Sequence, residues 1–347
     1  MPERPDSTPS SATGGPPTAL RSLTGDAVDR AMPADAGSVD VAAVTSGPES
    51  KRRRRRGWGG LGFAGWFSIG WLVFVVGGAL LAPYLPLDDP KNSITDIARR
   101  GPLATAGSAP GHLLGGDGNG RDMLSRLLWG GRTTLFVATV AVLIGFVIGG
   151  FLGLLAGYYR GKADTVLSGL FDVFLSIPAV ILALALVTIL RTPAAASGHA
   201  TAGLDPEVAL IIALGIVSIP VLGRITRAST LSWSEREFVL AARAQGAKNG
   251  RIIRREVLPN VLPAMISIAL LGVAVAIVAE GTLSILGASV EPDTPTWGNM
   301  IAGGRQVIAI APHIVFEPAL MIFFTVLALN FLGDAIRARF DVREGGL

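Results

Sequence analysis

Residues Ser234–Pro259 read SEREFVLAARAQGAKNGRIIRREVLP and separate two long apolar segments. Ser234 and Glu237 have the spacing of a capping box, which predicts the start of a short helix. Gly246 can adopt the positive φ that ends a helix and turns the chain. Asn249 is a candidate cap for a second helix. The stretch therefore predicts two short helices with a break at Gly246.

One side of the first of these helices is predicted to be nearly bare. Phe238, Ala241 and Ala242 fall on one face at helical spacing. Two adjacent alanines present almost no side chain, so the surface of another protein can approach the backbone closely. Leu258-Pro259 marks the start of the following long helix. An ordinary basic loop between membrane spans has the same spacing, and the residues alone leave both interpretations open.

The composition indicates an all-α integral membrane protein. Of the 347 residues, 50% are hydrophobic, and the mean hydropathy is +0.52. Several apolar stretches approach the length of about 20 residues that crosses a bilayer as a helix. Six spans are predicted, at 58–85, 134–157, 166–190, 208–222, 263–286 and 318–332. The sequence contains no cysteine, which excludes disulfides, thiolate catalysis and cysteine metal sites.

Basic residues predict the orientation of these spans. They concentrate in the run 51–56, at Arg160 and Lys162, in the 223–260 loop and near the C-terminal end, all on one side of a six-span chain. By the positive-inside rule, both termini and the 234–259 stretch are cytoplasmic. The 51–56 run directly precedes a span, so it is interpreted as a membrane anchor and not as a nucleic-acid patch.

Two acidic residues lie within apolar sequence, where an unpaired charge is costly. They are Asp172 in the third predicted span and Glu280 in the fifth. One interpretation places both in a translocation path, and the other makes them hydrogen-bonded packing residues at helix contacts. Pro178 and Pro220 predict kinks in the third and fourth spans.

Ala241-Ala242, Gly246 and Leu258-Pro259 resemble the EAA loop of ABC importer permeases, the segment that docks into a groove on the ATPase subunit. Leu240 stands at the position where this motif has Glu. The resemblance implies that the following residues couple the chain to an ATPase: Phe238, Leu240, Ala241, Ala242, Arg243, Gly246, Leu258 and Pro259.

Residues 112–132, HLLGGDGNGRDMLSRLLWGGR, resemble the signature before the second span of dipeptide and oligopeptide permeases. Gly116 stands where that family usually has Thr. The family also has a similar loop before its last span. The implied extracytoplasmic signature residues are Gly120, Arg121, Asp122, Trp297, Gly298 and Asn299. From the residues alone, Asp122 and Arg126 at i,i+4 predict a short amphipathic helix at the membrane surface.

The resemblance covers roughly 57–345 and is to the second, "C-type" permease of the dipeptide/oligopeptide/nickel family. It implies the type I ABC importer permease fold, with six transmembrane helices and a cytoplasmic coupling helix. The implied domains are a disordered cytoplasmic tail with its basic run at 1–56, the first transmembrane helix and extracytoplasmic loop at 57–133, a permease core at 134–335 and a cytoplasmic tail at 336–347.

The same resemblance implies the partners and the location. The partners are a homologous permease subunit, two ATP-binding subunits, an extracytoplasmic substrate-binding protein and the lipid bilayer, with no nucleic acid. The location is the cytoplasmic membrane of a prokaryote, and the cargo is short peptides. The chain is not expected to be an enzyme or to bind a cofactor or metal, because the partner ATPases use ATP-Mg.

Three alternatives stay open. Relatives of the same architecture import nickel or a metal chelate, and His112, His199 and His313 are all predicted outside, although without ligand-like spacing. An ion-coupled secondary transporter predicts inverted repeats and a set of midplane carboxylates, and no repeat is found. A membrane-embedded enzyme is disfavoured because the sequence has no HExxH or GxSxG motif and no paired aspartates within spans.

Overall fold

The computed structural model describes residues 62–102, 111–192 and 203–341. The predicted tail 1–56 and the last residues, 342–347, lie outside the described residues. No β-strand forms within the described ranges, where one isolated antiparallel bridge joins Gly116 to Asp122. The helices are α1 Gly62–Leu81, α2 Met123–Ile144, α3 Gly150–Tyr159, α4 Gly161–Ser176, α5 Ala179–Arg191, α6 Pro206–Ser234, α7 Glu237–Ala244, α8 Asn249–Ile252, α9 Leu258–Ile285, α10 Trp297–Gly304 and α11 His313–Asp341.

Five helical stretches of the described chain are long and apolar enough to cross a membrane. Two of them join consecutive helices through a π-turn, namely Gly145–Gly149 between α2 and α3, and Ile253–Val257 between α8 and α9. The five stretches are Phe63–Tyr84, Met123–Tyr159, Pro206–Ser234, Asn249–Ile285 and His313–Arg339.

Helices α4 and α5 form a broken sixth stretch, bent by 89°. The break falls at Ile177, whose backbone is extended, and at Pro178, which has no N–H for a helical hydrogen bond. A residue before proline is disfavoured in the helical region, so the helix ends there. The kink predicted at Pro178 is confirmed, as a full break. Pro220, by contrast, lies inside α6, which continues through it as one helix.

The broken stretch runs from one end of the bundle to the other. Near its start, Arg227 Nη2, in the last third of α6, donates to Asp164 Oδ2 at 2.7 Å. At its end, the N–H of Leu204, just before α6, donates to the carbonyl of Leu190 at 2.9 Å. The helices α4 and α5 together follow the length of α6, as the two halves of one broken span do.

Glycines bring α3 and α6 into close contact. A Cβ added to Gly153 would lie 2.2 Å from the carbonyl oxygen of Gly223, and one added to Gly149 would lie 2.3 Å from that of Ile219. Helices within a bilayer associate largely through such close packing, because lipid tails are as apolar as the side chains. Only glycine fits at these two positions.

The short amphipathic helix predicted around residue 122 is wrong. Asp122 is instead the N-cap of α2, which continues into the second span without interruption. Arg126 does not pair with Asp122; its Nη1 donates to the carbonyl of Pro90 at 2.9 Å, and its Nε lies 3.5 Å from Asp117 Oδ2. Burial of this first turn under the neighbouring loops keeps it within the bundle.

Candidate functional site

The predicted break at Gly246 is confirmed as a Schellman motif at the end of α7. Gly246 has φ 79°, and its N–H donates to the carbonyl of Arg243 at 2.9 Å. The N–H of Ala247 donates to the carbonyl of Ala242 at 3.1 Å. These two bonds satisfy carbonyls that the helix end leaves free, and they turn the chain towards α8.

Residues 234–259, here called the coupling segment, are fixed to the end of α3. Val239 and Ile252 are fully buried against Tyr158. The hydroxyl of Tyr158 donates to Asn249 Oδ1 at 3.0 Å, and the Arg243 guanidinium lies 5.2 Å from the centre of the Tyr158 ring. The two short helices therefore form a packed unit at this end of the bundle, which we call the coupling end.

Both caps predicted in this segment are wrong. Ser234 is the last residue of α6, and its hydroxyl donates to the carbonyl of Leu231 at 3.0 Å. Arg236 occupies the N-cap of α7 without a side-chain cap bond. Lys248 precedes α8, so Asn249 is its first residue, and the side chain of Asn249 bonds Tyr158. The physical reason is that α6 continues to residue 234, which moves the start of α7 to Glu237.

Leu258-Pro259 forms the first turn of α9, so the predicted start of this long helix is confirmed. The π-turn Ile253–Val257 joins α8 to α9, so that Asn249–Ile285 is one helical stretch. Proline has no N–H to donate to a helical hydrogen bond. It is tolerated in the first turn of a helix or beside a π-turn, where that hydrogen bond is not required.

The predicted coupling residues form a partly exposed surface on this unit. Phe238 and Leu240 are 40% and 51% exposed, and Ala241 is exposed between them. Ala242 is half-buried, because it packs onto the cluster around Val239. Arg243, Gly246 and Pro259 are exposed, and Leu258 is half-buried. The bare face predicted from the two alanines is therefore centred on Ala241.

The signature residues meet at the opposite end of the bundle, here called the signature end. The carboxylate of Asp117 accepts hydrogen bonds from the N–H of Asn119 at 2.8 Å and of Arg121 at 2.9 Å. Arg121 Nε donates to Asp117 Oδ2 at 2.8 Å, and its Nη1 donates to Asp293 Oδ1 at 3.1 Å. Arg121 thus ties the loop before α2 to the loop before α10.

Asp122 and Gly120 shape the start of α2. Asp122 Oδ2 accepts from the N–H of Ser125 at 2.7 Å, as an N-cap does. Its Oδ1 lies 2.9 Å from His112 Nδ1. Gly120 has φ 78°, and an added Cβ would lie 2.4 Å from the carbonyl oxygen of Ile94. No other residue fits at position 120 without strain.

Trp297, Gly298 and Asn299 pack the short helix α10 into this end. Trp297 is fully buried; its Nε1 donates to the carbonyl of Leu127 at 2.9 Å. A Cβ on Gly298 would lie 2.6 Å from Ser284 Oγ. The N–H of Asn299 donates to the cap residue Thr296 at 2.9 Å. The six signature residues are therefore brought together by hydrogen bonding and close packing.

The carboxylates of Asp88 and Asp122 and the ring of His112 have ligand atoms within 4.8 Å of one another. Of the described residues, only these three form such a group. His112 Nδ1 lies 2.9 Å from Asp122 and 3.6 Å from Asp88. A hydrogen bond from the histidine to Asp122 accounts for this arrangement.

The two acidic residues within spans have different surroundings. Glu280 is fully buried, and its Oε1 accepts from the hydroxyls of Ser284, Ser289 and Thr296, each at 2.9 Å. Asp172 is instead 57% exposed at the surface of the described chain, where it forms an ion pair with Arg224.

Sequence reasoning missed Arg224 and Arg227 as partners of the acids on α4. Asp164 pairs with Arg227, and Asp172 pairs with Arg224. The fourth span was predicted to end at residue 222, which placed both arginines in a loop. A spacing of three residues on a helix puts them on one face, and this signal was available in the sequence.

These features define the class of the chain, an all-α, multi-pass membrane protein with a packed segment at one end. The sequence model of the family described as "Binding-protein-dependent transport system inner membrane component" matches residues 149–345, and the chain belongs to this family. The recognition as an ABC importer permease is thereby confirmed.

Curated relatives cover most of the chain. The dipeptide transport system permease protein DppC of Alkalihalophilus pseudofirmus is 37% identical over 263 residues, 76% of this chain and 80% of the relative. The glutathione transport system permease protein GsiD of Pectobacterium atrosepticum is 35% identical over 271 residues, 78% of this chain and 84% of the relative. The di/tripeptide permease DppC of Pseudomonas aeruginosa is 36% identical over 277 residues, 79% and 87% of the two chains.

A solved structure confirms the predicted fold. A chain of the inward-facing MetNI methionine ABC transporter aligns with a TM-score of 0.52 at 23% identity, over 62% of this chain and 97% of that chain. The likeness is one of fold alone. The chain has the type I ABC importer permease fold.

Proposed function

We propose that this chain is the membrane-spanning subunit of an ATP-driven importer of short peptides. The relatives named for dipeptide, di/tripeptide and glutathione transport support the cargo class. The observation that carries the proposal is the coupling segment, a packed two-helix unit whose exposed face is bare at Ala241. A bare helical face on a rigid support is suited to docking into a groove of another protein.

The proposal includes the partners and the orientation. A homologous permease, two ATP-binding subunits and an extracytoplasmic substrate-binding protein complete the importer, and the partner ATPases use ATP-Mg. This chain carries out no bond chemistry and binds no cofactor of its own. The coupling end and both termini face the cytoplasm, in keeping with the basic residues there. The domains are a tail at 1–56, the first helix and loop at 57–133, the permease core at 134–335 and a tail at 336–347.

In this mechanism, closure of the ATPases moves α7 and, with it, the spans to which the coupling segment is fixed. Val239 and Asn249 connect the segment to the end of α3. Arg160, between α3 and α4, donates to Glu235 at 2.7 Å and links the segment to the broken span. The docked surface must contact the two states of the ATPases differently, since only a difference in binding free energy shifts the equilibrium between conformations.

Reconstitution tests the proposal. The tagged chain is co-purified with its partners from native membranes, and the complex is reconstituted into proteoliposomes with the binding protein. We expect ATP-dependent uptake of a radiolabelled dipeptide and no uptake of ⁶³Ni²⁺. Uptake of nickel without dipeptide uptake would establish the metal alternative. Uptake that persists without ATP and depends on an ion gradient would overturn the assignment to an ATP-driven importer.

We propose that the ion pair between Asp172 and Arg224 lies on the path by which the peptide crosses the membrane. Asp172 lies about 17 Å along α4 from Gly161, and Arg224 lies about 15 Å along α6 from Ser234, by the rise of a helix. Both are therefore near the middle of a hydrocarbon core about 30 Å thick. Charges exposed at that depth do not face lipid; they face the interior of a bundle or an aqueous cavity.

The substitution Asp172→Asn is expected to lower dipeptide uptake about tenfold or more while the chain stays folded, because Arg224 is left unpaired along the path. The measurement is initial uptake rate, normalised to reconstituted protein. The double variant Asp172→Arg, Arg224→Asp restores the pair in reverse. If the pair only fastens α4 to α6, the double variant recovers transport; continued loss is expected if the position of each charge matters to the path.

A further inference from the structure

Three arginines at the base of the coupling segment share one cavity. Arg251, Arg254 and Arg255 line, with Gly250, a pocket of about 340 Å³. All three side chains are exposed. Across the described ranges, none of the three guanidinium groups forms an ion pair or a hydrogen bond. Glu256 lines a neighbouring pocket together with Arg251, but within the described part of the chain it forms an ion pair with none of the three arginines. Three like charges in one pocket without a counter-charge attract an anion.

The position of this pocket along the chain is next to a predicted membrane span. Tyr158 and Tyr159 end the membrane-crossing stretch Met123–Tyr159, where interfacial aromatic residues are common. The hydroxyl of Tyr158 bonds Asn249, which fixes the start of α8 at the same level. Arg251, Arg254 and Arg255 lie between Asn249 and the predicted fifth span at 263–286. Basic residues just before the apolar part of a membrane helix are suited to the layer of anionic headgroups.

An apolar face continues from the arginines into the membrane-crossing part of the same helix. Pro259, Leu262 and Ile266 follow the π-turn at intervals of three and four residues, which is one helical face. Pro259 is exposed, Ile266 is 44% exposed and Leu262 is half-buried, so the described chain leaves much of this face uncovered. A cationic pocket next to an uncovered apolar stripe matches a phosphate group with acyl chains, and it does not match a soluble phosphate.

From this geometry we propose that Arg251, Arg254 and Arg255 bind the headgroup phosphate of an anionic phospholipid in the leaflet at the coupling end. Guanidinium groups bind phosphate oxygens through paired hydrogen bonds, which an ammonium group does not reproduce. Basic pockets beside membrane helices are suited to such headgroups. The lipid would hold the π-turn between α8 and α9, and so fix the base of the coupling segment to the membrane surface.

Lipid binding to the full-length chain tests this site. The chain is purified in detergent and titrated, under native mass spectrometry, with phosphatidylglycerol and with phosphatidylcholine of the same acyl chains. We expect at least a tenfold preference for phosphatidylglycerol. In the triple variant Arg251→Gln, Arg254→Gln, Arg255→Gln the preference should fall to within about twofold, since each basic group near an anionic surface contributes about fivefold in affinity.

Two further variants complete the design. The triple substitution Arg99→Gln, Arg100→Gln, Arg305→Gln removes the same charge from exposed residues at the signature end, and it should keep the preference. The triple Arg→Lys variant at 251, 254 and 255 should keep part of it, and it remains informative if the glutamine variant does not fold.

Three results would overturn the proposal. The first is an unchanged lipid preference in the glutamine variant. The second is displacement of phosphatidylglycerol by millimolar inorganic phosphate, which would indicate a site for soluble phosphate. The third is unchanged lipid binding with loss of the co-purifying ATP-binding subunit, which would make the arginines a protein contact. None of these results depends on the cargo of the importer.

Discussion

Arginine in place of Ala241 is expected to abolish ATP-driven uptake while leaving membrane insertion unchanged. Ala241 lies between the exposed side chains of Phe238 and Leu240 on α7, and its own side chain fills almost no space. A long charged side chain there would hold a docked surface away from the helix backbone. It would also place a charge in a contact from which water is excluded, where an unpaired charge is costly.

Of two possible substitutions, Ala241→Arg tests docking more directly than Ala242→Arg. Ala242→Arg should also abolish transport. Ala242, however, is half-buried against the cluster around Val239, and its carbonyl accepts the bond from Ala247 that closes the Schellman motif. Arginine at 242 would disturb the segment itself, so its loss of transport would not separate docking from folding.

The expected loss of ATPase binding follows from the proposed position of Ala241 at the centre of a small interface. Disrupting a central contact costs about 2 kcal/mol or more, which weakens binding about 30-fold. The measurements are the amount of ATP-binding subunit that co-purifies with the tagged chain and the rate of dipeptide uptake by proteoliposomes. Ala163→Arg is the matched control, because Ala163 is exposed near the start of α4, outside the coupling segment. Normal uptake with retained ATPase in Ala241→Arg would show that α7 does not dock.

The existence of the spans was predictable, and their ends were not. Apolar length alone locates five crossings and the broken sixth. The fourth span was predicted to end at 222 because Arg224 and Arg227 follow. In the structure α6 continues to Ser234, because those arginines pair with Asp172 and Asp164 on α4. The spacing of the two arginines is visible in the sequence, but their partners lie more than fifty positions away and cannot be assigned from one sequence.

The predictions of turns and caps differ in the same way. A prediction that rests on the residue's own conformational preference was correct, and those that depend on tertiary contacts were wrong. Gly246 was predicted correctly because positive φ is a property of glycine itself. The caps at Ser234 and Asn249 were wrong because a cap depends on where the preceding helix ends, and tertiary contacts set that end. The signature residues were found by resemblance. Their physical reason, such as the bond from Trp297 to Leu127, becomes visible only in three dimensions.

Substitutions of Glu280 distinguish the two roles that the sequence left open, a charge in the path or a packing residue. The side chain is fully buried, and one of its oxygens accepts three hydroxyl hydrogen bonds, from Ser284 on α9 and from Ser289 and Thr296 in the loop that leads to α10. These bonds connect α9 to the signature end. This geometry favours the packing role, in which the acceptor atom matters and the negative charge does not.

Glu280→Gln keeps an acceptor at the position of Oε1, so we expect transport to be retained with a small loss of stability. Glu280→Ala removes the acceptor from three buried hydroxyls and leaves a cavity. Each unsatisfied buried group costs about 1–3 kcal/mol, and the combined loss is expected to lower the midpoint of thermal unfolding in detergent by on the order of 10 °C. The midpoint is measured by intrinsic fluorescence, and uptake is measured on the fraction that stays monodisperse. A folded Glu280→Gln chain that no longer transports would overturn the packing role, because the two side chains have the same shape and differ in charge.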